Sequence, residues 1–167
     1  MIPSCKSSVD QQPAQTLKKQ DKEELIRVNK DIMRSESADI DSYIRRKNYH
    51  MNLTPTGLRY LIYSKSNSGL KVRTDDQVKL KYSLSLLDGS QVYNSDTTGL
   101  LEFIVDKSEI VTGLQEGVKY LEKGDKAIFI IPAHLAYGLT GDGEKIKYYE
   151  ALVIDTEVLE ITNAHRN

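Results

Sequence analysis

The stretch Val111-Thr-Gly-Leu-Gln-Glu-Gly-Val-Lys-Tyr-Leu-Glu-Lys-Gly-Asp-Lys-Ala-Ile-Phe-Ile-Ile-Pro-Ala-His-Leu-Ala-Tyr-Gly138 reads as a short helix, a tight stop, a buried strand and a loop. Thr112 stands where an N-cap is expected, with Gln115 three positions on as in a capping box. Leu114, Val118 and Leu121 recur at helical spacing, so one side of the helix is buried. Gly124 suits a left-handed C-cap, which predicts a helix of about three turns. From Lys126 to Ile131 the composition turns β-branched and aromatic, and Pro132 ends the strand because it brings no N–H to a ladder.

Upstream lies the clearest alternation in the chain. Val78, Leu80, Tyr82, Leu84 and Leu86 share one face, with Lys79, Lys81, Ser83 and Ser85 on the other, so one face is core and one is wet. Asp88-Gly89 signals a hairpin, Gln91 to Asn94 returns, and Leu101 to Val105 forms another short strand. Before them, Pro55-Thr-Gly57 makes a turn and Leu58 to Tyr63 a strand; the last strand, Ala151 to Ile161, puts Leu152, Ile154, Thr156 and Val158 on one side. The expected fold is α+β: a twisted antiparallel sheet wrapped over one short helix, with a helical N-terminal extension.

Three segments follow. Residues 1–20, rich in Ser, Gln and Lys, bury too little to offset the entropy of ordering and are expected to be a disordered tether. Residues 21–52 form a helical extension. Within it Leu25, Ile26, Val28, Ile32 and Met33 make one amphipathic stripe, and a second helix starts at a Ser37 cap and carries Ile40, Tyr43 and Ile44. These two helices are expected to dock on the domain, pair with a second copy or hold another protein. Residues 55–162 make the compact domain.

Composition excludes several classes. With 23 Lys+Arg against 24 Asp+Glu, there is no electrostatic footprint for nucleic acid, and no apolar run approaches the ~20 residues of a membrane-spanning helix. His50, His134 and His165 have no ligand spacing, and one cysteine offers no thiolate metal site, so no metal is expected. Gly138-Leu-Thr-Gly-Asp-Gly143 lacks the Gly-Lys-Ser/Thr ending of a phosphate loop and reads as a flexible loop. Cys5, after Met-Ile-Pro-Ser, resembles the lipidated start of a bacterial lipoprotein without its leader; the other reading is an ordinary terminal thiol. The first places the protein in the periplasm or cell envelope, the second leaves a cytoplasmic location open.

From Val72 to Ile161, about half of the chain, the sequence resembles the FKBP-type peptidyl-prolyl cis-trans isomerases. The matching residues are Gly113, Glu116, Gly117, Gly124, Lys126, Ala127, Ile131, Pro132, Leu135, Ala136, Tyr137 and Gly138, with Tyr82 to Gly89 and Ala151 to Ile161 on either side. The domain and its helical N-terminal extension are also similar to FKBP-like lipoproteins associated with gliding motility.

The resemblance implies isomerisation of X-Pro bonds in unfolded or exported proteins by desolvation of the twisted amide, with no nucleophile and no cofactor. It places the catalytic core at Tyr82, Val111 and Tyr137, with the Val111 main-chain N–H and the Tyr137 hydroxyl on substrate carbonyls. It lines the pocket with Val92, Tyr93, Leu101, Ile110, Leu114, Ile146 and Ile154. Three departures stand out. The family's Phe-Asp pair is Val92-Tyr93, its floor tryptophan is Leu114, and its Pro-Pro is Lys147-Tyr148. These imply reduced activity and weakened binding of macrolide inhibitors. The alternatives are an FKBP-like chaperone or adaptor with a degenerate pocket, and a structural component of an envelope assembly.

Overall fold

A computed structural model describes residues 19–163, so Cys5, His165 and all but the end of the expected tether lie outside the described residues. The chain divides into two compact units, residues 1–34 and 35–167. In the first, the described residues are the opening of helix α1 (Lys19–Lys47), with Leu25, Ile26, Val28 and Met33 exposed and the surface pairs Arg27–Glu24 and Arg34–Asp31 along it.

The second unit begins with the end of α1 and continues through β1 (Asn52–Leu53), β2 (Arg59–Ser64), β3 (Asp76–Leu86), β4 (Gln91–Asn94), α2 (Ser95–Thr98), β5 (Leu101–Ile104), α3 (Thr112–Val118), β6 (Lys126–Ile131), a 3₁₀ turn (Ala133–Leu135) and β7 (Leu152–Asn163). The strands form one antiparallel sheet in the order β1-β2-β6-β7-β3-β4, and β5 pairs with β3 beyond the end of β4. β3 is the strand that alternation predicts: Val78, Leu80 and Leu84 are buried while Gln77 and Lys81 are exposed.

Strand β6 does not alternate, because both of its faces are covered. Ala127, Phe129 and Ile131 join the main core with Leu114, Val118, Leu121, Leu152, Ile154 and Val158. Ile128 and Ile130 point the other way and pack with Val153, Ala151 and the α1 residues Ile40 and Tyr43. A continuous apolar run is what a strand dry on both sides needs. α3 lies against β6 at glycine distance: a Cβ on Gly117 would stand 2.8 Å from the Phe129 ring, and one on Gly113 would run into the Ile131 side chain.

Three local expectations are corrected. One helix runs without a break where two were expected. No glycine or proline interrupts Met33 to Ser37, and Ser37, instead of capping, accepts a hydrogen bond from Arg59 Nη2 at 2.8 Å. The capping box at α3 is absent: Thr112 donates to the Leu135 carbonyl at 3.2 Å, and Gln115 bridges Asp106 N and Ser108 O at 2.8 Å each. Finally, α3 stops at Val118, short of Gly124, because the chain leaves the helix to pair Leu121 O with Val72 N at 3.0 Å. Gly124, at φ +88°, then donates to Val158 O at 2.7 Å.

Two substitutions test this packing. Gly117→Ala, forcing a methyl into the Phe129 ring, is expected to cost about 1–3 kcal/mol of stability. Ile40→Ala, which empties the contact between α1 and the outer sheet face, is expected to cost about 2–5 kcal/mol. Denaturant unfolding of the full chain reads both; an unchanged midpoint for Ile40→Ala would mean that α1 is not part of the cooperative fold.

Candidate functional site

Alternation on β3 turns Tyr82 and Leu84 toward α3, and β7 returns beside it so that Leu84 pairs with Ile154 and Leu86 with Leu152. Above this patch lies an open cavity of ≈ 400 Å³. Leu101 of β5, Leu114 of α3, the segment Glu109 to Thr112 leading into α3, Tyr93 of β4, and Ala136 and Tyr137 after the 3₁₀ turn complete its walls.

Of the ten residues singled out from the sequence, Tyr82, Tyr93, Leu101, Ile110, Val111, Leu114, Tyr137 and Ile154 line this cavity. Val92 and Ile146 do not. Val92 is half-buried against the core and Ile146 is buried within it. Leu84, Glu109, Thr112, Ala136 and Leu152 are additional lining residues. Leu84 was findable, since it shares the alternating face of Tyr82, and Leu152 shares that of Ile154.

The three tyrosines differ in what their hydroxyls are free to do. Thr98 donates its proton to the Asn94 carbonyl at 2.7 Å, so in its 2.8 Å contact with Tyr82 the tyrosine is the donor. Tyr93 donates to Asp142 Oδ2 at 2.6 Å. The Tyr137 hydroxyl has no hydrogen-bond partner among the described residues, and neither has the main-chain N–H of Val111. Burial, then the negative charge of Asp142, then Tyr82 push the Tyr137 phenol above its ordinary value, so it keeps its proton. The cavity thus combines apolar walls with two uncommitted donors.

Asp142 organises the adjoining loop. Its Oδ1 accepts the main-chain N–H groups of Glu144, Lys145 and Ile146 at 2.9, 2.9 and 2.8 Å, while Oδ2 takes the Tyr93 proton. Lys145 Nζ sits 4.9 Å from the centre of the Tyr93 ring, a cation over an aromatic face. Gly141, at φ +69°, is needed because a Cβ there would strike the Ile146 carbonyl. The Gly-rich stretch expected to be a free loop is therefore heavily cross-bonded. Tyr93 thus binds the carboxylate of Asp142 from across the loop.

Desolvation opposes the charged form of Asp142, but its hydrogen bonds from Tyr93 and the three amides together outweigh it and bring the carboxyl down to about 2. A carboxyl with a lowered folded value contributes stability above about pH 4, which is lost as the pH falls through about 2. The expected result in an NMR titration of the Asp142 side-chain carboxyl is a midpoint near the lower value, moving up in Tyr93→Phe. A midpoint unmoved by Tyr93→Phe would remove that hydroxyl as a cause.

Comparison with known proteins places this geometry. A family model for FKBP-type peptidyl-prolyl cis-trans isomerase matches residues 69–159, more than half of the chain. The probable FKBP-type isomerase FkpA of Neisseria meningitidis serogroup B is 35% identical over 108 residues, covering 65% of this chain and 39% of that protein. A probable FKBP-type isomerase of Haemophilus influenzae is 33% identical over 116 residues, covering 69% and 47%. The chain thus spans less than half the length of these two curated relatives. Among solved structures, FkpA from Escherichia coli superposes with a TM-score of 0.68 at 28% identity, covering 89% of this chain and 75% of that one. With the short helix, the buried strand and the turn to Tyr137 assembled around one cavity, the chain belongs to the FKBP-type peptidyl-prolyl cis-trans isomerase family.

Proposed function

We propose that the protein is a peptidyl-prolyl cis-trans isomerase, and that residues 55–162 carry the reaction, with the helical segment before them as an extension. The observation that carries this reading is the pair of donors, Val111 N–H and Tyr137 O–H, uncommitted among the described residues, on a cavity whose walls are mostly apolar. Rotation about an X-Pro bond breaks no covalent bond; its barrier of ~18–20 kcal/mol is the loss of amide resonance as the peptide twists. The planar amide has the larger dipole and loses more on leaving water, so a dry cavity favours the twisted form. The two donors hold carbonyls beside the proline and keep the chain in register while the bond turns.

Tyr82 and Tyr93 take other parts in this mechanism. Both spend their protons within the protein, so they shape the walls and do not donate to the substrate. Leu114 under the cavity is smaller and rounder than the family's indole, removing an aromatic contact to the proline ring of about 1 kcal/mol. That favours modest activity and weakened macrolide binding, and it is also what supports the second reading, a chaperone or adaptor that binds without accelerating. The proposed partners are proline-containing unfolded or exported proteins. The proposed location is the periplasm or cell envelope, and lipidation of Cys5 belongs to the same proposal.

A refolding assay without protease, using the full chain at catalytic concentration on a proline-limited substrate, tests the reaction. Acceleration of the slow phase is expected. Tyr137→Phe should lower kcat/KM by roughly 5- to 30-fold with the unfolding midpoint unmoved, as for loss of a donor used in the twisted state. Binding of the substrate without acceleration would favour the chaperone reading, and full activity in Tyr137→Phe would take Tyr137 out of the site.

A further inference from the structure

We propose that Glu36, on helix α1 and 97 residues from its partner, is a positioning residue that sets Tyr137 through the turn before it. The Glu36 carboxylate accepts the main-chain N–H of Ala133 at 2.6 Å. Ala133 is 3% exposed, and it begins the 3₁₀ turn, where an N–H has no partner within the turn itself. The same residue's carbonyl accepts from Ala136 N at 2.9 Å and from Gly138 N at 2.8 Å. Those two amides bracket Tyr137. One residue therefore ties the side of the turn facing α1 to both neighbours of the tyrosine that faces the cavity.

The rest of α1 near this point is fixed independently. Arg59 reaches Ser37 Oγ at 2.8 Å and Asp41 Oδ1 at 3.3 Å, and Ile40 and Tyr43 are buried on the sheet. Glu36 is thus carried on an anchored helix and cannot follow Ala133 if the turn shifts. Pro132, just before, removes an N–H that would otherwise offer the carboxylate a second partner. A charged acceptor on a buried amide is a short, strong contact, and losing it leaves that amide bare. The turn would then relax toward water, and Tyr137, already 37% exposed, would follow.

This rests on the proposed isomerase reaction for its effect on rate, but not for its effect on structure, and the test separates the two. In full-length protein with ¹³C-labelled tyrosine, Glu36→Ala is expected to shift the Tyr137 ring resonances and to reduce exchange protection of the Gly138 amide. Glu36→Gln, which keeps an acceptor oxygen, should stay close to wild type. Asp41→Ala, which removes one contact of α1 and leaves its Ser37, Ile40 and Tyr43 anchors in place, should leave Tyr137 unmoved. In the refolding assay Glu36→Ala should lose about 5- to 10-fold in kcat/KM, and less than about 2-fold when added to Tyr137→Phe. Unshifted Tyr137 resonances in Glu36→Ala would overturn the proposal. So would Glu36→Gln behaving like Glu36→Ala, or Asp41→Ala moving Tyr137 as far. A wild-type chain without isomerase activity would defeat the reaction while the resonances still decide the positioning role.

Discussion

From Ala127 to Ile131 strand β6 meets water on neither face, and the domain is arranged to keep it so. On one side α3 approaches so closely that Gly113 and Gly117 are the residues its contact surface can accommodate, against Ile131 and Phe129. On the other, Ile40 and Tyr43 of α1 cover Ile128 and Ile130. Each fully buried large aliphatic or aromatic side chain contributes about 1.5–3 kcal/mol, and covering both faces lets four consecutive ones, Ile128 to Ile131, contribute in this way. It also fixes the direction in which the chain leaves the sheet at Pro132, and with it the turn that ends at Tyr137.

The cavity follows from this arrangement. Because α3 is short and stops at Val118, its opening turn, with Val111, Thr112 and Leu114, sits over Leu84, Leu152 and Ile154 and leaves space above Leu114. Two of the three tyrosines around that space have committed their protons, to Thr98 and to Asp142. The donors left uncommitted among the described residues are then the Tyr137 hydroxyl and the Val111 amide, which suits a reaction whose transition state asks for orientation and dryness more than for charge. Asp142 orders the adjoining loop: four hydrogen bonds on one carboxylate hold a stretch that contains three glycines from Gly138 to Gly143.

Helix α1 connects with the site in two ways. Its apolar residues close the outer face of the sheet, an entropic and non-directional contribution, whereas Glu36 and Ser37 make directional contacts, one to the turn and one to Arg59. The first kind of contact gives the helix its place on the sheet. The second transmits that place to particular atoms of the turn.

Periodicity made most of the sheet legible. The alternation from Val78 to Leu86, the apolar run from Ala127 to Ile131 and the side shared by Leu152, Ile154 and Val158 each reflect burial along a few consecutive residues, so they appear in the chain as written. Eight of the ten residues expected at the site lie on these faces or in the segments joining them and line the cavity, while Val92 and Ile146 pack with the core. Thr112, Gln115 and Ser37 looked like caps, and every one of them hydrogen-bonds to a residue that local spacing does not indicate. A hydroxyl or amide takes the best partner that the folded chain brings within about 3 Å. The sequence alone determined which faces must be dry, because apolar burial is set by local pattern. Tertiary structure alone decided which polar groups are free among the described residues, as at Val111 and Tyr137, and which are held, as at Tyr93 by Asp142 and Ala133 by Glu36, because those partners meet only after segments 49 and 97 residues apart have been packed together.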